Sequence, residues 1–84
     1  MAKLKVTRTT GDVQEFEITP KIEYQFEQWK KKGIHRAFRE DESQTDVYYL
    51  VWLAIKDSGE VVKVFGEDFL ATLRNVEVLD SDPL

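Results

Sequence analysis

Positions 47–55 read Val-Tyr-Tyr-Leu-Val-Trp-Leu-Ala-Ile, nine apolar or aromatic residues without a break in a chain that is 33% charged. Upstream, Ser43 is followed three positions later by Asp46, the spacing of a capping box, and Gly59 supplies a stop downstream. The stretch reads as about four turns of helix over 44–57. At about 100° per residue, Val47, Leu50, Val51 and Ala54 form one face, widened by Tyr48, Trp52 and Ile55. Tyr49 and Leu53 fall on the other side, in the sector that holds Asp46, Lys56 and Asp57. A surface helix carries one apolar stripe; a helix apolar all round is buried on several sides or meets a partner.

The 84 residues make one domain, with no room for a second core. A chain this short buries only roughly 60–65% of its unfolded surface, so its margin of stability is thin, and oligomerisation is one way to widen it. There is no cysteine, which excludes a disulfide framework, a thiolate zinc site and a cysteine nucleophile together. The nine-residue apolar run is less than half of the roughly 20 residues a membrane span needs, and Met1-Ala2-Lys3 leads straight into an alternating charged pattern unlike a signal peptide. A net charge of −4 disfavours nucleic acid or anionic lipid as the main partner. The expected class is a soluble cytoplasmic domain.

Two alternating segments open the chain, with Leu4 and Val6 inward in the first and Phe16 and Ile18 inward in the second. Thr9-Thr10-Gly11-Asp12 between them is turn chemistry, so a β-hairpin is predicted. A two-residue loop would set Val6 opposite a glutamate. An odd-length loop pairs Val6 with Phe16, Leu4 with Ile18 and Lys5 with Glu17, keeping one apolar and one charged face.

Thr19 as N-cap and Pro20 at the first position open a helix over 20–32, with Ile22, Phe26 and Trp29 on one stripe, Tyr24 pointing away, and Gly33 as its end. A connector follows in which Ile34, Ala37 and Phe38 tuck inward around a short helical turn. Beyond the central helix, 61–64 is short, apolar and extended, and a last helix spans 67–74 on the stripe Phe65, Phe69 and Leu73, reached again by Val76. The predicted fold is α+β: an N-terminal hairpin followed by three helices (about 20–32, 44–57 and 67–74) packed around the central one. It occupies 1–79, with 80–84 as a flexible acidic tail.

No set of nucleophile, base and orienter can be assembled, so the chain is not read as an enzyme, and no cofactor or metal site is expected. His35 is the sole histidine and reads as a connector residue. Glu15 and Glu17 read as a solvated strand face, and Glu67 and Asp68 as acids suited to a helix start. The stretch 30–39 carries five positive charges in Lys30, Lys31, Lys32, Arg36 and Arg39. It is either a phosphate-contacting patch or a helix end balanced by Glu40, Asp41 and Glu42. The aromatic residues say more. Tyr24, Tyr48, Tyr49, Trp52 and Trp29 are a heavy share for so small a core, and aromatics are enriched at interface hot spots. The candidate partner-binding residues are Tyr48, Tyr49, Trp52, Leu53 and Tyr24.

The hairpin leads into Ile18-Thr19-Pro20 and Glu23-Tyr24-Gln25-Phe26-Glu27. Lys31-Lys32-Gly33-Ile34-His35-Arg36-Ala37-Phe38 and Gln44-Thr45-Asp46-Val47-Tyr48-Tyr49-Leu50 come next, and the chain closes with Phe65-Gly66-Glu67-Asp68-Phe69-Leu70 and Val76-Glu77-Val78-Leu79-Asp80. In these segments it resembles the short tail assembly chaperones of long-tailed bacteriophages, of the type found in phages of actinobacteria. The resemblance runs over most of the chain but is carried by no chemically required residue. It implies a non-enzymatic protein that binds the tape measure protein, keeps it soluble and helps recruit tail tube subunits. It further implies self-association, a location in the host cytoplasm, absence from the mature virion and, in many such proteins, a second, frameshifted longer form. The alternatives are another small protein-binding phage adaptor, a regulator that inhibits a host protein, or a nucleic-acid binder acting through Lys30 to Arg39.

Overall fold

The computed structural model describes residues 2–41 and 43–80. Its elements run β1 (Ala2–Arg8), β2 (Val13–Glu17), α1 (Pro20–Lys30), α2 (Ile34–Glu40), α3 (Gln44–Asp57), α4 (Glu67–Leu70) and β3 (Leu73–Asp80). This is a compact α+β domain, built on an antiparallel three-stranded sheet of order β2-β1-β3.

The β1–β2 hairpin has the expected odd-length loop in a different register. Arg8 donates its backbone N–H to Asp12 at 2.8 Å, and Gly11 closes the turn at φ 98°. Only a residue free of the Cβ clash takes that third loop position cheaply, so Thr10 rather than Gly11 becomes the centre of the turn. Val6 therefore stands opposite Gln14, Leu4 opposite Phe16 and Lys5 opposite Glu15, two residues away from the predicted pairing. A shift of two preserves the alternation, so Leu4, Val6 and Ile18 are still buried.

The helix predicted over 67–74 is a correction. It ends at Leu70, and the chain turns at Ala71 and Thr72 into β3, which pairs with β1 along its length. Val76 and Val78 stand opposite Val6 and Leu4, a strand alternation that the 3.6-residue spacing of Phe65, Phe69, Leu73 and Val76 had masked. Asp80, expected in the tail, is the last residue of β3, while 81–84 lie outside the described residues. Helix α1 is two residues shorter than expected. Lys31 takes the left-handed conformation at φ 61°, its N–H bonding Glu27, before Gly33 is reached. The Glu27 side chain then accepts the N–H of Ile34 at 2.8 Å, joining the end of α1 to the start of α2.

The central helix occupies 44–57 as predicted. One side packs on the inner face of β2 and β3 and the other on α1, with α2 beside α1. Leu50, Val51, Leu53, Ala54 and Ile55 are all buried. Its apolar character on nearly every side follows from this sandwiched position: the chain itself covers most of it. The capping box does not form. Ser43 is the N-cap without a side-chain bond, and Asp46, 1% exposed, turns instead to Lys30.

Candidate functional site

Sheet and α1 between them leave one strip of α3 incompletely covered. The strip holds Thr45, Tyr48, Tyr49, Trp52 and Lys56, which share a sector about 100° wide at helical spacing. The segment that follows α3 crosses over this strip. The Trp52 indole N–H donates to the carbonyl of Lys63 at 2.9 Å, and Phe65 points inward while Val61 and Val64 are 97% and 85% exposed. Arg8 ties the start of the segment down through Glu60 at 3.2 Å.

The result is a cluster of touching rings. Trp29 from α1 stacks on Tyr49 with centroids 3.9 Å apart and planes 12° from parallel. Phe65 meets Tyr49 edge-on at 5.0 Å and Trp52 at 6.1 Å. Lys56 Nζ lies 4.8 Å from the centre of the Trp52 ring, within cation–π range. Burial of the Tyr49 hydroxyl among these rings pushes its pKa above the ordinary tyrosine value. Trp29 remains 41% exposed, so the cluster presents an aromatic rim to the outside. Next to it, Tyr48 lines a hollow of about 200 Å³ with Leu70, Leu73, Arg74, Asn75 and Val76.

Of the five candidate residues, the structure brings Tyr48, Tyr49 and Trp52 together on this strip, each half-buried. Leu53 is corrected. It is 5% exposed, on the side of α3 that meets α1, where the Lys21–Asp57 ion pair (2.8 Å) links the two helices. It serves the core and is not available to a partner. Tyr24 is 65% exposed, on the side of α1 opposite the buried Ile22 and Phe26 and away from Trp29. Sequence reasoning missed Phe65 as a member of the ring cluster, because it assigned this residue to the stripe of a helix that does not extend that far. It missed the hollow beside Tyr48 because β3 supplies most of its wall.

The basic stretch is largely neutralised from within. Lys30 Nζ lies 3.1 Å from Asp41 and 3.1 Å from buried Asp46, and Lys32 Nζ lies 3.2 Å from Asp41 and 3.5 Å from Glu40. Arg36 pairs with Glu40 at 3.1 Å, one helical turn on. Hydrogen bonds from Lys30 and then Lys32 hold the Asp41 carboxyl below its usual pKa, and the bond from Arg36 does the same for Glu40. Asp41, followed by Asp46, raises the pKa of Lys30. Three of the five cations are thus committed to carboxylates, which removes most of the excess positive charge a phosphate patch needs. His35 is exposed, as are Glu15 and Glu17 on the outer sheet face, across from Lys5 and Lys3. Among the described residues, no group of three or more His, Cys, Asp or Glu is placed to hold a metal ion, and no helix is long and apolar enough to cross a membrane.

Comparison of the chain with protein-family models, with curated proteins and with solved structures finds no match.

Proposed function

We propose that this chain is a protein-binding module that acts as a tail assembly chaperone of long-tailed bacteriophages, holding the tape measure protein soluble and helping to bring tail tube subunits to it. The observation that carries the binding part of the reading is the aromatic strip. Trp29, Tyr49, Trp52 and Phe65 are already packed into one arrangement by the fold, so a partner meets them without ordering them first. The phage assignment comes from the sequence resemblance, and the ring geometry supports it through the kind of partner it fits.

That partner is an amphipathic helix. Its apolar face lies along Trp29 and Trp52, with one side chain entering the hollow beside Tyr48. Lys56 at one end and Arg74 at the other place cations beside the strip in a chain of net charge −4, so acidic residues flanking the helix's apolar stripe complete the match. A tape measure protein offers such helices repeatedly, and many weak copies along one long chain bind with avidity.

The test is co-expression with a tape measure protein followed by size exclusion. Wild-type chain keeps the tape measure soluble and co-elutes with it. Trp29→Ala with Tyr48→Ala abolishes co-elution while the variant keeps its helical circular dichroism. Substituting Lys30, Lys31 and Lys32 leaves co-elution intact. If the lysines decide the outcome and the rings do not, the reading is wrong.

A further inference from the structure

The sheet ends on two edges, β2 and β3, and they are not equivalent. On β2 the outward row is Val13, Glu15 and Glu17, all exposed, so full-length antiparallel pairing of this edge with another like it sets Glu15 against Glu15. On β3 the described outward row is Asn75, Glu77 and Leu79, with a single carboxylate. Its inner row is also incompletely roofed. Leu4 and Val6 on β1 are 0% exposed beneath α3, whereas Val78 beside them on β3 is 36% exposed. An open hollow of about 290 Å³, lined by Phe38, Ser43, Gln44, Val47 and Val78, runs along the same seam between α3 and the β3 edge. A long strand edge with free backbone groups and apolar side chains short of cover is the arrangement that accepts another strand.

We infer that β3 is a self-association edge, pairing antiparallel with β3 of a second copy about a two-fold axis through Val76. The charge pattern selects this occupant and this register. With Val76 on the axis, Asn75 stands opposite Glu77 of the second copy, and the symmetry repeats the pair, so each carboxylate faces an amide that can donate to it. Moving the axis one residue to Glu77 sets the two glutamates against each other. The irregularity between Thr7 and Arg8, which leaves Arg74 as the extra residue on β3, ends the straight part of the edge and keeps longer slips from forming a full ladder. The two-fold runs perpendicular to the joined six-stranded sheet, so both α3 helices lie on one face and the Val47–Val78 hollows of the two copies adjoin. Asn75 and Val76 also line the hollow beside Tyr48, so this edge borders the aromatic strip, but pairing of the two strands requires no partner bound there.

The experiment is sedimentation velocity over a concentration series on the full chain. Wild type dimerises in a concentration-dependent way. Asn75→Glu sets two carboxylate pairs in opposition and raises the dimer dissociation constant about tenfold or more. Asn75→Glu combined with Glu77→Asn exchanges the partners and restores the wild-type constant, which a variant that merely unfolded would not do. A wild-type chain that stays monomeric at every concentration, including one whose edge takes up a strand of some other protein, overturns the inference. So does a dimer that ignores Asn75→Glu, or a double variant that is no tighter than the single one.

Discussion

Leu53→Ala separates the two ways in which the central helix can be apolar all round. If Leu53 faced outward, truncating it would leave stability within about 0.5 kcal/mol of wild type, as for most surface substitutions. In the structure it is 5% exposed and belongs to the same core as Leu50 and Ile55. Removing three buried carbons forfeits roughly 2.4 kcal/mol of transfer free energy at about 0.8 kcal/mol each. The cavity term that usually adds to this is small here, because Leu53 borders an open hollow of about 230 Å³ lined by Lys21, Gln25, Lys56 and Asp57, which water can enter. The expected loss is therefore about 2–3 kcal/mol, at the lower end of the Leu→Ala range of roughly 2–5 kcal/mol. An 84-residue domain has roughly 4–13 kcal/mol in total, so the loss is a large fraction. It lowers the melting temperature by about 10–20 °C. Urea unfolding followed by the fluorescence of Trp29 and Trp52 measures it, with Tyr24→Ala, at a 65% exposed position, as the silent control. A Leu53→Ala variant as stable as that control would refute the buried assignment.

Other consequences follow from single contacts. Lys30→Met lowers the urea midpoint more than Lys32→Met, because it strands the buried Asp46 carboxylate whereas Lys32 pairs only with the more exposed Asp41 and Glu40. Lys31→Gly raises stability by about 0.5–1 kcal/mol in the same assay, since Lys31 holds φ 61° at the end of α1, where a Cβ is a burden. Asp41 and Glu40 have folded-state pKa values below their ordinary ones. Their contribution is present above the ordinary carboxylate range of about 4 and is lost as pH falls through the depressed values, so acid titration of the urea midpoint shows a decline there. Asp41→Asn with Glu40→Gln flattens that decline. Val61→Ser and Val64→Ser, at positions 97% and 85% exposed, change stability by less than about 0.5 kcal/mol.

What the sequence made legible was local. The central helix was readable to the residue, because an uninterrupted apolar run between Ser43 and Gly59 leaves few other ways to satisfy its backbone. Thr19 and Pro20 likewise marked the start of α1, where the Thr19 hydroxyl accepts from Ile22 at 3.4 Å. The failures were non-local. Val76-Glu77-Val78 becomes a strand only because β1, some 70 positions earlier, offers Val6 and Leu4 as partners. Asp46 fits a capping box by spacing alone, yet Lys30 at 3.1 Å is the stronger partner for a carboxylate with 1% exposure. The candidate site divided along the same line. That Tyr48, Tyr49 and Trp52 stand out was readable because surplus aromatics on one helix are visible in the chain, and the structure sets the three on one half-buried strip. Which side of that helix α1 would cover was not visible, and it decided the fate of Leu53.

The account rests on the ring-lined strip of α3 being the surface a helical partner grips. Methyl and aromatic resonances of the isotope-labelled chain, followed while a soluble helical segment of a tape measure protein is added, test this directly. The account predicts that signals of Trp29, Tyr48, Tyr49 and Trp52 shift together and saturably while the methyls of Leu53 and Leu4 stay in place. Shifts that concentrate on Lys31, His35 and Arg39 and leave the four rings unmoved would contradict it.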